Sequence, residues 1–164
     1  MRASIILFIL VIFAIACEKN DRHDKATEYM DKIESETYSD MFLPDLEPDD
    51  ISTLLKYRDE KTLLQVFPVN PISSFICDSV TVGIVALWTI ESIRISELNG
   101  DTSEFTRFPS LNPALFDTTG ISVNIFELQD SASKRYYDWW YQSNLILSEK
   151  LMINPLYGSD IIWR

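Results

Sequence analysis

Residues 79–100 read SVTVGIVALWTIESIRISELNG, and the choice of helix or strand for this stretch decides the fold. From Val80 to Ile90 the side chains are apolar on nearly every side, apart from Thr81 and Thr89. A helix that is hydrophobic all round sits in the middle of a protein. The β-branched Val and Ile would also suit a strand. Length and the Asn99–Gly100 stop favour the helix. The uncharged run between Asp78 and Glu91 is only 12 residues, too short for a membrane span, which needs roughly 20. Glu91 and Arg94 stand three apart, within reach of one another on a helix. They are expected as a charge pair at the edge of the core, with ligand binding as the other role open to them.

Outward on the N-terminal side, Cys77 lies among apolar neighbours in FICDSV and is expected to be buried and unreactive. TLLQVF, ending at Pro68, fits strand or helix equally. EPDDISTLLKYR starts a helix: Pro48 suits its first position, and Asp49 and Asp50 complement the positive end of the helix dipole. Ile51, Leu54 and Leu55 form its inner face. TYSDMFLPDL is a connector that buries Met41, Phe42 and Leu43. Asp24 to Glu36 reads as a helix, because Ala26, Tyr29, Met30 and Ile33 make one apolar stripe opposite the charges.

On the C-terminal side, residues 101–120 show no period. A structureless loop of this length is unusual in a compact domain. It either packs through Phe105, Phe108, Leu115 and Phe116 or serves as a binding loop. ISVNIFEL is a short strand or the start of a helix. SASKRYYDWWYQSN is a helix with Ser131 near its cap. Its YYDWWY segment is five-sixths aromatic and spreads over about 200° of helix. Trp139 and Trp140, which share one face with Tyr136, are expected to be mostly buried. Tyr137 and Tyr141, four apart on the flanking face, are expected to be exposed and are the candidate partner-binding residues. The tail LILSEKLMINPLYGSDIIWR is apolar enough to dock on the core. Asn-Pro recurs at 70–71, 112–113 and 154–155. The surrounding residues do not repeat, so Asn as helix cap with Pro in the first turn accounts for it better than a solenoid.

The beginning of the chain gives an expectation of location. Residues 1–16 have the layout of a secretory signal peptide: Arg2, then nine apolar residues from Ile5 to Phe13, then small residues. Ala-Ile-Ala-Cys resembles the lipobox of bacterial lipoproteins, with Ala14 in the place where Leu is commonest. In that family the Cys thiol receives a diacylglyceryl group and cleavage leaves the Cys as the new N-terminus. The resemblance implies that Cys17 is the lipidation site. An ordinary signal peptide cut near Ala16 is the alternative. EKNDRHD cannot bury itself and serves as a solvated tether. It is similar to the acidic export signals of Bacteroides-type surface lipoproteins, though Lys19, Arg22 and His23 interrupt the acids.

The segments LLKYR, FPVNPISS and LWTIESIR together resemble a group of small Bacteroides-type lipoproteins classed as a domain of unknown function. The resemblance implies an envelope location and a mainly helical domain, and it assigns no catalytic or binding residues.

Several chemistries lack their parts. The single histidine, His23, lies in the tether, so the domain holds no Ser-His-Asp or Cys-His site and no histidine-based zinc site. The four glycines are isolated and make no phosphate loop. The net charge of -11 has no basic cluster to set against it, which argues against nucleic acid. Residues 18–60 hold 14 acids and 6 bases, a face that serves solubility or steers a basic partner. With Cys17 acylated, Cys77 has no disulfide partner in the chain.

The expectation is therefore a mainly α protein: a lipoprotein signal peptide (1–16), an acylated Cys and charged tether (17–23), and a single compact helical domain (24–164). It is expected in the outer membrane, lipid-anchored through Cys17, on the cell surface or the periplasmic face. It is expected not to be an enzyme and to need no cofactor or metal. Its expected role is to bind or scaffold a protein or glycan partner. An immunity protein against a secreted toxin and a glycan-binding accessory lipoprotein are the alternatives.

Overall fold

The structure is a computed structural model, and it describes residues 25–40, 42–73, 77–100, 107–119, 125–142 and 144–164. The expected signal peptide and tether, with Cys17, therefore lie outside the described residues, as do Met41 and Phe105. Helix occupies 47% of the described residues, and strands form only two small antiparallel ribbons. The class is helix-rich and compact, but not purely α.

The first helix, α1, covers residues 25–34. Ala26, Tyr29, Met30 and Ile33 are all buried, as their spacing requires. Glu36, just past its end, takes a left-handed φ of 55°. Its carboxylate accepts the amides of Gln65 and Val66, both at 2.8 Å, and ties α1 to the next segment. A 3-10 turn at Pro48–Asp50 leads into α2, Ile51–Leu54. Ile51, Leu54 and Leu55 point inward as expected. The helix is a single turn, and the chain then bends back into β1, Leu63–Leu64. TLLQVF thus resolves as strand, paired with β2, Val80–Thr81.

The long helix α3, Val82–Asn99, is the axis of the fold, and every residue from Val82 to Arg94 is buried. Thr81 caps its start by accepting the Ile84 amide at 3.2 Å. Gly100 ends it at φ 59°, a left-handed conformation that glycine adopts without a steric penalty. α2, α4 and α5 all pack on α3. No helix among the described residues is long and apolar enough to cross a membrane.

β3, Leu115–Asp117, lies in the stretch that shows no sequence period. It pairs with β4, Ile161–Trp163, the docked tail, with Leu115 opposite Trp163. Phe108 and Leu115 are buried and Phe116 is half-buried, so the described part of 101–120 packs. Phe108 closes a small second core with Trp88 and Leu43, and the Trp88 indole donates to Ser110 Oγ at 2.9 Å.

Four expectations need correction. α4 runs Ile125–Tyr141, so Ser131 is in mid-helix and caps nothing. The Asn-Pro pairs open no helices. Asn70 and Asn154 instead accept the amide two residues on, at 3.1 and 2.8 Å, and head tight turns. Cys77 is half-buried rather than buried, although partial burial still pushes its thiol pKa up. Glu91 and Arg94 are not at the edge of the core: they are 3% and 7% exposed, inside it.

Candidate functional site

The aromatic helix α4 is held by polar contacts that only a buried face can make. Gln129 accepts from Thr81 Oγ1 at 2.7 Å and donates to the carbonyls of Arg58 and Glu60 at 3.0 and 2.9 Å. One turn further, Ser133 donates to Asp59. Tyr136 donates to Glu91 Oε2 at 2.9 Å and accepts the Trp163 indole N–H at 2.9 Å. Arg94 grips Glu91 with Nε at 3.0 Å and Nη2 at 2.5 Å, and gives Nη1 to the Leu151 carbonyl. This network joins α3, α4, α5 (Leu147–Met152) and β4. Burial raises the Tyr136 phenol well above its ordinary range, and the Glu91 charge raises it further. Burial disfavours the Arg94 charge, but the hydrogen bonds and charge of Glu91 outweigh it and the guanidinium pKa rises. Every polar group in the network has a partner, which suits holding helices together rather than turning over a substrate.

With the helix pinned this way, its aromatics divide as their spacing predicts except at Trp140. Tyr136 and Trp139 are buried, and the Trp139 indole donates to the Lys150 carbonyl at 2.8 Å. Trp140 is half-buried rather than buried, with the Lys150 ammonium 4.8 Å above its ring. Tyr137 and Tyr141 are 39% and 51% exposed. Their rings stand 4.8 Å apart, tilted by 46°. The Arg58 guanidinium lies 4.7 Å over Tyr137, which fixes that ring from one side.

On another face of α4, a groove of about 640 Å³ runs between α4 and the turn after α5, and neither tyrosine lines it. Trp139 contributes to one wall, and Ile153, Pro155 and Tyr157 to the other. Lys134 and Asp138 pair along the rim, and Arg135 reaches the Tyr157 carbonyl at 3.4 Å. Eight of the fifteen exposed large hydrophobic side chains among the described residues lie between Tyr137 and Tyr157. A second groove, near Lys25, Lys32, Tyr38 and Arg107, also holds Glu28 and Asp45, which pair with Lys32 and Arg107.

The structure thus places Tyr137 and Tyr141 together on the surface. Cys17 is not among the described residues. Leu145, Ile146, Leu147, Met152, Ile153 and Tyr157 are exposed as well and were not singled out by the sequence reading. Their signal was present in composition. From Trp139 to Ser159 the only charges are Glu149 and Lys150, in a chain that is 24% charged. Among the described residues, no group of three His, Cys, Asp or Glu side chains could hold a metal ion.

A family model described as Domain of unknown function (DUF4943) matches residues 20–164. No curated protein and no solved structure matches the chain.

Proposed function

The chain belongs to the family described as Domain of unknown function (DUF4943), and on that premise we propose that it is a lipid-anchored, non-catalytic module of the outer membrane that holds a protein partner. The carrying observation is the exposed Tyr137–Tyr141 pair on a helix whose neighbouring aromatics Tyr136 and Trp139 are buried. The anchor reading is supported by residues 1–17, whose apolar run ends at Cys17 and gives way to charge. A non-catalytic role is supported by the saturated polar network. Tyrosine at a partly desolvated surface brings large contact area and a polar tip, which is why it dominates binding hot spots.

A protein fits this surface better than a sugar. A pyranose ring stacks on a flat aromatic face or on coplanar rings, whereas these two rings are tilted by 46° and one carries Arg58. An acidic face for a basic toxin would draw on residues 18–60, whose member over Tyr137, Arg58, is itself basic. Photo-crosslinking tests the proposal. A photoreactive phenylalanine in place of Tyr141, in cells that make the protein, should yield one discrete protein adduct. The same probe at Ile72, which is also exposed, should not. Equal or absent adducts at both positions would contradict the proposal.

A further inference from the structure

The exposed residues around α5 have a position in the fold that bears on the anchor. α1 runs antiparallel to α3. Its Tyr29 donates to Thr89 at 3.0 Å, while Glu36 beyond its far end bonds the Gln65 and Val66 amides beside β1. β1 pairs with β2, which leads directly into the start of α3. Residue 25 therefore lies toward the C-terminal half of α3. α4 runs the other way, parallel to α3. Gln129 meets Thr81 at the start of α3, Tyr136 meets Glu91, and Leu151 of α5 meets Arg94. The start of α1, the end of α4 and all of α5 thus share one end of the molecule.

The segment 145–153 at that end is largely apolar, with Glu149 and Lys150 its only charges. α5 buries only Leu151, and leaves Leu147 and Met152 exposed, flanked by Leu145, Ile146 and Ile153. Ile146 is 65% and Met152 72% exposed. The stretch 139–159 has a net charge of zero in a chain of -11. Seven residues, 18–24, separate Cys17 from Lys25, a span of roughly 30 Å at full extension, so an anchor at Cys17 keeps this end near the bilayer. Most of an acidic protein would be repelled by an anionic leaflet, whereas this end would not be. Apolar side chains at a helix edge gain free energy by entering the headgroup–acyl boundary.

We infer that the end formed by Leu145, Ile146, Leu147, Met152 and Ile153 seats on a lipid surface beside the anchor, an inference that rests on lipidation of Cys17. The seat orients the domain: the end that carries Met152 faces the membrane, and the β1–β2 end faces away. The lipid contact is non-covalent, so it fixes orientation while the anchor supplies residence.

Spin-label accessibility tests it on the full processed chain. Cys77→Ser removes the one other thiol, and a nitroxide is then placed by Met152→Cys, by Ile146→Cys or, at the opposite end, by Leu63→Cys. Each is an exposed position, so the fold should tolerate the label. On vesicles of phosphatidylethanolamine and phosphatidylglycerol, the ratio of oxygen to nickel-chelate collision should be several-fold higher at 152 and 146 than at 63. If the chain binds the vesicles but 152 and 146 are as accessible to nickel as 63, the seat is wrong and the anchor stands. Labels shielded from both reagents even without lipid would place a second copy of the chain on this end and overturn the seat. A folded chain that stays off the vesicles would overturn both the anchor and the seat.

Discussion

Tyr136 on α4 donates a hydrogen bond to Glu91 on α3 at 2.9 Å, in a place where both side chains are buried. The carboxylate also takes two bonds from Arg94, and the phenol takes the Trp163 indole. Removing one partner of such a pair leaves a buried charge without compensation, at about 3–5 kcal/mol. Glu91→Ala should therefore destabilise the domain by that amount in urea unfolding. Tyr136→Phe should cost less, about 1.5–3 kcal/mol, the range for a hydrogen bond to a charged group. Replacing Glu91 and Arg94 together by Leu should cost less than Glu91→Ala alone. A double variant weaker than both singles would show that the pair stabilises in its own right.

Gly83 sits where α4 and the 58–60 turn press on α3. A Cβ there would lie 2.5 Å from the Arg58 carbonyl oxygen and closer still to the Gln129 amide. The obstruction is backbone, so it cannot swing away. Gly83→Ala should lower the melting temperature sharply, although alanine is the better helix former by about 1 kcal/mol. A variant as stable as the parent would mean that this packing yields easily.

Stability should fall in alkali. Burial raises the Tyr29 and Tyr136 phenols, the latter helped by Glu91, and burial with Asp40 pushes Tyr38 up to about 12. Unfolded tyrosines release their protons near pH 10. Above that pH the folded chain holds more protons than the unfolded one, so the free energy of unfolding decreases as pH rises. Below it both states keep their phenol protons and this contribution is constant. The urea midpoint should therefore drop between about pH 10 and about 12, where these phenols titrate differently in the two states. A midpoint unchanged across that window would contradict the burial of the three phenols.

Much of this arrangement is legible in the residues. The stripe Ala26, Tyr29, Met30, Ile33 and the all-round apolar α3 give helices and their inward faces directly, because periodicity records burial. The division of Tyr137 and Tyr141 from Tyr136 and Trp139 follows from 100° per residue alone. What stays hidden depends on partners distant in sequence. Gln129 is fully buried, yet it looks like a loop residue, since only the Thr81 hydroxyl and two carbonyls from 58–60 make its burial tolerable. That polar look obscures the first turns of α4 and makes Ser131 resemble a cap. Glu91 and Arg94 look like edge residues because the Tyr136 phenol and Leu151 carbonyl that complete their shell arrive 45 and 57 residues later. β3 and β4 are three residues each, too short for a period to show.

The anchor has its own test. Cys17→Ser removes the thiol that would carry the diacylglyceryl group, so the chain should fractionate as an uncleaved precursor or a soluble protein. A Cys17→Ser chain that is processed normally and remains with the membranes would show that the thiol is not the anchor.

The central claim is that Tyr137 and Tyr141 are a contact surface, not core. The most direct measurement is partner retention of the Tyr137→Ala, Tyr141→Ala double variant, read beside its thermal unfolding and that of Trp139→Ala. Trp139→Ala should lose about 3–5 kcal/mol, as a buried aromatic does. The double variant should melt close to the parent, since exposed substitutions usually change stability by no more than about 0.5 kcal/mol each, and should no longer retain its partner in the envelope. A double variant that unfolds as readily as Trp139→Ala, or one that keeps its partner at full stability, would contradict the account.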